Sequence, residues 1–340
     1  MALTDFTFPG KHGAKSLANY NSDTVPEADL HELEIDQVRQ KLETALYARS
    51  VVTKYFPQSP LTGTSTVRID AMGGGGLSAL KHDSLPQISE YKFGLQKFSI
   101  DTPVVARSVI EELAEIQTHI PVLQRIGEDQ GKKLAKFIDE TYIIQAIKAG
   151  LLTETPFVDM RGVPGFGGGT QTSVGTAADA KDPAKLLNAF RRLEADMFKR
   201  DVSLIEDGAI ILTSADVMFT LMSNDQVVDT TIKWSNGTDI QAQVFRSLGI
   251  PVVRSNHFVG GQNITNHMLS NNRNGNAYDV DATKVLAVVV SPKALQDGYA
   301  YNVRTTKHWD ETELRTYITS RVAMGVGIAR PEYAGVIISE

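Results

Sequence analysis

The sequence predicts an α+β fold, and three observations carry that expectation. One long stretch, Pro121 to Gly150, holds its apolar residues at helical spacing. Period-two runs occur at 65–71, at 89–95 and again from Leu314 to Ile328. Between residues 209 and 290, short apolar strands alternate with a capped helix. With 340 residues and 42% hydrophobic content, the chain can bury a substantial core. It has no cysteine, so disulfides, thiolate metal sites and cysteine nucleophiles are excluded. A formal net charge of −6 argues against a protein whose main task is to grip nucleic acid through phosphate contacts. No apolar run approaches bilayer length, and the start MALTDFTFPGKHG lacks the charged-then-apolar order of a secretion signal. A soluble protein that stays in the compartment that made it is expected.

Residues 1–25 are polar and aperiodic and read as an arm that orders against something else. From Pro26 to about Ser50, Leu30, Leu33, Ile35, Val38, Leu42 and Leu46 mark an amphipathic helix, on its own protomer or on a neighbour. Val67, Ile69 and Ala71 alternate on one strand, and Tyr91, Phe93 and Leu95 on another. The long tip between them contains Gly73, Gly74, Gly75, Gly76 and Pro86, so the two strands form a ribbon. Phe98 and Ile100 continue in the opposite phase, which predicts a bulge at Gln96-Lys97. A projecting two-stranded ribbon is marginal in water, so it is expected to rest on another subunit. The four glycines invite comparison with a phosphate loop, but Leu77-Ser78 follows them where Lys-Ser or Lys-Thr is needed.

Asp101 or Thr102 is expected to cap a helix beginning at Pro103, with Val104, Val105, Val109, Ile110, Leu113 and Ile116 as its apolar face. It leads into the long helix, whose stripe is Leu123, Ile126, Leu134, Phe137, Ile138, Ile144 and Ile147. Pro121 and Gly150 signal its two ends, the latter as a left-handed cap. Gly127 and Gly131, four residues apart, either clear a track for another backbone or are tolerated surface glycines. The segment MRGVPGFGGGTQTSVG lacks the third glycine of the dinucleotide fingerprint, where Thr170 stands, and follows a helix; it reads as a surface loop.

Asp182-Pro183 opens a further helix. Strands are expected at 209–212, 250–254 and 285–290, with a helix from Ser214 to about Met222 capped by Thr213 or Ser214, and an Asn- and Gly-rich connection over 255–283. Asp279 and Asp281 lack the rest of a calcium-loop pattern and read as turn residues. The closing stretch alternates from Leu314 through Ile328, turns at Arg330-Pro331-Glu332 and offers Val336-Ile337-Ile338 as the returning partner strand. No histidine pair has metal-ligand spacing on a helix, and no Gly-x-Ser-x-Gly elbow occurs. Neither a metal site, a cofactor nor an enzymatic activity is expected.

The segments ALYARSVVTKYF (45–56), VRID through YKFGLQKFSI, the long helix, LGIPVVRSNHF (248–258) and SRVAMGVGIARPEYAGVIIS (320–339), in that order, resemble the major capsid protein of tailed bacteriophages, most closely the short-tailed podoviruses. The resemblance covers nearly the whole chain. It implies an N-terminal arm with amphipathic helix (1–58) and an extended loop (59–100). A peripheral domain with the spine helix at 121–149 and a glycine-rich loop (101–204), an axial domain (205–300) and a return to the peripheral domain (301–340) complete it. It also implies hexamers and pentamers closing an icosahedral shell around double-stranded DNA with little specific contact to it. Scaffolding protein and portal would be assembly partners, the host bacterial cytoplasm the place of assembly and the virion the destination.

The subunit-contact candidates are Gly73, Gly74, Gly75, Gly76, Lys81, Tyr91 and Phe93 of the ribbon, with Leu33, Val38 and Leu42 of the leading helix. Some relatives cross-link a lysine of this loop to a neighbour's asparagine. Lys81 lies in the tip, but no catalytic glutamate or acceptor is identified here, so that activity is not carried over. The nearer alternative is an encapsulin-like nanocompartment shell, which resembles the same fold; the distant one is a nucleotide-dependent enzyme.

Overall fold

A computed structural model describes residues 7–8, 15–16, 27–56, 58–61, 64–77, 89–111, 122–223, 246–247 and 249–340; up to residue 34 and at 246–247 it describes the backbone only. The elements run β1 (Thr7–Phe8), β2 (Lys15–Ser16), α1 (Glu27–Arg49), β3 (Thr66–Gly73), β4 (Lys92–Ser99), β5 (Val104–Glu111) and α2 (Val122–Leu151). They continue with β6 (Thr170–Gly175), α3 (Pro183–Phe198), β7 (Ile210–Thr213), α4 (Ala215–Met222), β8 (Arg246–Ser247), β9 (Ile250–Arg254), β10 (Asn263–Ile264) and β11 (Val280–Asp281). The chain ends with β12 (Val285–Val290), β13 (Leu295–Asp310), β14 (Arg315–Ile328) and β15 (Ala334–Ser339). It divides into two compact units. The first comprises Met1–Leu46, Ala106–Lys132 and Arg304–Ser320; the second comprises Tyr47–Val105, Lys133–Val303 and Arg321–Glu340.

In the first unit, α1 lies on the start of α2. A Cβ on Gly127 would sit 2.7 Å from the Val38 carbonyl oxygen, and one on Gly131 2.5 Å from that of Leu42. The two glycines therefore form the notch that admits a second helix, and the alternative of tolerated surface glycines falls away. Val38, Ile110 and Ile318 form the unit's apolar cluster, with Val122, Leu123 and Ile126 against it. Its polar centre is Gln130, which donates to Ser108 Oγ at 3.0 Å and accepts from Ser320 Oγ at 2.5 Å. A buried amide satisfied on both sides fixes the register of the elements that supply its partners.

The helix expected from Pro103 is instead the strand β5, which joins β13 and β14 in a three-stranded sheet with β14 in the middle. Val104, Val105, Val109 and Ile110 are β-branched and fit a pleated strand better than a helix, and the exposure of β5 alternates residue by residue. The supposed cap is engaged elsewhere: Asp101 accepts from Thr102 Oγ1 and Asn271 Nδ2. Residues 112–121, including the expected Leu113, Ile116 and Pro121, lie outside the described residues. Leu314 is not in the long strand; it has φ +50° and stands in the turn before Arg315.

The second unit is built on a six-stranded mixed sheet of order β6-β15-β12-β7-β9-β8. The pairs β6·β15 and β7·β9 are parallel, the other three antiparallel. The β7–α4–β9 order is the expected strand-feeding-helix unit. The segment 336–338 was expected to pair with the long strand. It pairs with β12 and β6 instead, because Val336 and Ile337 are buried on both faces and need a central position in the sheet. The expected surface loop likewise ends at Gly169, and Thr170–Gly175 is an edge strand of this sheet. Leu186, Leu187, Phe190, Leu193 and Met197 of α3 cover one sheet face. That helix starts as anticipated, with Asp182 accepting from Ala184 N and Pro183 in the first turn; Ser214 is the cap of α4.

From Phe137 onward α2 is buried on every side, rather than along one stripe, and Tyr142, Ile143 and Ala146 are as enclosed as Ile144 and Ile147. Gly150 is helical and does not adopt the left-handed cap. A Cβ there would lie 2.2 Å from Val336 Cγ2, so close packing on β15 explains the glycine.

Candidate subunit-contact surface

The ribbon β3–β4 sorts its side chains by the pleat. Its strands pair without interruption from Thr66↔Ser99 to Gly73↔Lys92, so the bulge expected at Gln96-Lys97 is absent. The change of apolar phase marks a change of face instead. Ile69, Ala71 and Phe98 point inward and pack with Phe157, Met160, Val163, Phe166 and Ala329 of the same unit. Met72, Phe93 and Leu95 point outward and are 60%, 69% and 43% exposed; Tyr91, just before β4, is 59% exposed. The ribbon thus rests on its own chain with one face, a correction to the expectation of support from a neighbour alone, and leaves the other uncovered. Met72, Tyr91, Phe93 and Leu95 form one outward group of large apolar side chains rather than scattered exposed ones.

The glycines close this surface toward the tip. Gly73 ends β3 beneath Phe166, and Gly74 has φ +106°, a conformation that side chains disfavour. Gly75 lies under the Tyr91 ring, and Gly76 donates its N–H to Ser89 Oγ at 2.9 Å. Lys81 lies outside the described residues. Leu33 falls within α1, on a part described as backbone only. Val38 and Leu42 are 3% and 0% exposed, and their helix seats on the Gly127–Gly131 notch of their own chain. Their side chains are therefore engaged internally, while the ribbon residues remain open.

Sequence reasoning missed two buried polar centres of the second unit. Asp139, fully buried on α2, accepts from Ser50 Oγ (2.6 Å), Val51 N (3.1 Å) and Val52 N (3.3 Å), and faces His257 Nδ1 at 2.9 Å. Tyr142 donates its hydroxyl to buried Asp297 at 2.6 Å, and Asp297 also accepts from Ser59 N. Burial first, then the neighbouring Tyr299 and Asp297, drives the Tyr142 phenol far above its ordinary range, so it stays a donor. Both carboxylates tie the chain that enters the ribbon to the long helix and to the end of β9 or the start of β13. The available signal was a run of polar residues, Asp139, Thr141 and Gln145, in an otherwise apolar helix.

Ser50, Asp139 and His257 do not form a nucleophilic relay. Both Ser50 and His257 engage the carboxylate, whereas a relay needs the imidazole on the hydroxyl. Asp279 accepts from Asn266 N, His267 N and Ser270 Oγ, and Asp281 from Thr283, so both organise turns. Among the described residues, no group of three His, Asp or Glu side chains could hold a metal ion, and no helix is long and apolar enough to cross a membrane.

Solved structures share this combination of mixed sheet, long buried helix and two-stranded ribbon. The mature capsid of bacteriophage PhiM1 is 21% identical at a TM-score of 0.68, over 86% of this chain and 87% of that one. The capsid of cyanophage P-SCSP1u is 16% identical at a TM-score of 0.70, over 86% and 89%. A virus-like particle from Pyrococcus furiosus is 12% identical at a TM-score of 0.50, over 89% and 98%. No curated protein matches the sequence. The chain belongs to the Gp10A-like major capsid protein family, which it matches over residues 97–338. It is a tailed-phage major capsid protein, a component of the virion shell.

Proposed function

We propose that this capsid protein assembles as hexamers and pentamers into an icosahedral shell around double-stranded DNA, with the outward face of β3–β4 lying on an adjacent subunit. The observation that carries this is the uncovered apolar set Met72, Tyr91, Phe93 and Leu95 on a ribbon whose other face is already seated. Burying such a set against a second copy gains roughly 25 cal/mol for each Å² of apolar surface removed from water. Repetition around a closed ring gives every copy the same contact. The partition into arm (1–58), extended loop (59–100), peripheral domain (101–204 and 301–340) and axial domain (205–300) belongs to the same proposal. So do Gly73 to Gly76 and Lys81 as contact residues, scaffolding protein and portal as assembly partners, and assembly in the bacterial cytoplasm. The chain's acidic balance suits a container that confines DNA without gripping it.

Electron microscopy of the purified protein tests the assembly, with Phe93→Asp as the informative variant. Closed particles are expected from the wild type and folded, unassembled subunits from the variant. Normal particles from Phe93→Asp would refute the contact. The likeness to the Pyrococcus particle supports a second reading, a nanocompartment shell. Particles filled with protein cargo and free of DNA would favour it.

A further inference from the structure

Away from the ribbon, the second unit contains a cleft of about 390 Å³ lined by Arg49, Val51, Ala215, Arg254, Ser255, Asn256 and His257. Its charge is unusual for this chain. Asp and Glu outnumber Lys and Arg by 40 to 34, yet neither Arg49 nor Arg254 has a carboxylate within ion-pair distance among the described residues. Both guanidinium groups border one cleft, and an anion entering it is attracted by both. His257 also lines the cleft. Asp139, which does not line the cleft, engages Nδ1 at 2.9 Å, which leaves Nε2 as the nitrogen available to it; the ring is 20% exposed and the carboxylate 0%. The Asn256 amide also lines the cleft and adds a neutral donor.

We propose that this cleft binds a tetrahedral oxyanion of the phosphate class, held by Arg49 and Arg254 beside the His257 ring. A carboxylate has two oxygens and is satisfied by a single guanidinium fork. Two forks offer donors for three or four oxygens, which is the count a phosphate presents. Free phosphate and the phosphodiester of a nucleic acid share that chemistry. The site stands on these residues alone and does not depend on how the shell closes.

The test is calorimetric titration of the purified protein with inorganic phosphate, repeated for Arg49→Gln, Arg254→Gln and the double variant, all at exposed positions. Wild-type protein should bind phosphate, and each single variant should bind roughly tenfold more weakly, the effect of losing one charge-assisted hydrogen-bonding partner. The double variant should show no binding, and the His257 ring resonances should move on phosphate addition in the wild type only. Competition by a short DNA duplex identifies the phosphodiester as occupant; phosphate binding that the duplex leaves unchanged identifies the free anion. Absence of phosphate binding by the wild type, or equal affinity in the double variant, would overturn the site. A double variant that binds phosphate normally but cannot form particles would overturn it too, assigning the arginines to a subunit contact.

Discussion

Replacing Asp139 by Asn probes how the chain leading into the ribbon is held, and its cost follows from the geometry. Oδ1 accepts from Ser50 Oγ and Val52 N, and Oδ2 from Val51 N while it faces His257 Nδ1. An asparagine keeps one oxygen and turns an NH2 group on the other pair. The Ser50 hydroxyl can rotate and the imidazole can change tautomer, but a backbone N–H can do neither. Either orientation therefore strands one buried amide, of Val51 or of Val52, and strips the charge from the surviving bonds. A stranded buried donor costs about 1–3 kcal/mol, and lost charge assistance about 1 kcal/mol more, so a net loss of about 3 kcal/mol is expected. For a chain of 340 residues that is a fall in melting temperature of about 4 °C. Thermal unfolding of the unassembled subunit, followed by circular dichroism, measures it. Amide exchange at residues 50–53 should accelerate in parallel, since the carboxylate anchors that turn. Asp139→Ala should be worse, at about 3–5 kcal/mol, because it leaves every donor without a partner. A midpoint for Asp139→Asn within a degree of wild type would show that the carboxylate holds nothing, and the argument would fail with it.

Three further outcomes are expected. Gly127→Ala with Gly131→Ala should destabilise by roughly 1–3 kcal/mol, even though alanine is the better helix former, because each added methyl meets a backbone carbonyl of α1; a stabilised double variant in a urea titration would show that α1 does not seat there. Phe137→Ala should cost about 3–5 kcal/mol by opening a cavity beside the stacked ring of His267, whose centroid lies 5.7 Å away; unchanged unfolding would show the side chain to be dispensable. Burial raises the Glu332 carboxyl above its ordinary value, against the lowering effect of Arg330, so the folded state binds its proton more tightly than the unfolded chain. That contribution to stability is complete below the ordinary glutamate range and is lost as pH rises through the raised value. Melting curves across pH 4–7 should therefore show a decline in wild type that Glu332→Gln lacks; parallel curves would contradict it.

Elements with local signals were legible in the sequence. The leading helix, the long helix, the Asp182–Pro183 start and the strands at 250–254 and 285–290 all fall within about a residue of their expected bounds, because caps and periodicity act over one or two turns. The errors share a different cause. Residues 104–111 carry valines that satisfy a helical and a strand period at once, and only pairing with β14 decides between them. The partner of 336–338 was misassigned because nothing in an apolar trio names the strand it joins. The Asp139 centre joins groups 87 to 118 residues apart, beyond the reach of any periodicity.

The ribbon shows most directly what such patterns can and cannot carry. Alternation states that two faces exist, and the apolar residues of both phases were visible: Ile69 and Phe98 in one, Phe93 and Leu95 in the other. Reading the phase change as a bulge placed all of them on one surface. Unbroken pairing puts them on two, and each apolar face requires its own cover. The 157–166 segment and Ala329 cover one face. Among the described residues none covers the other, so the strand pattern that suggested an irregularity marks two faces with different surroundings. A ribbon with one seated face can stay folded before assembly, and its other face is the surface proposed above for a neighbouring copy.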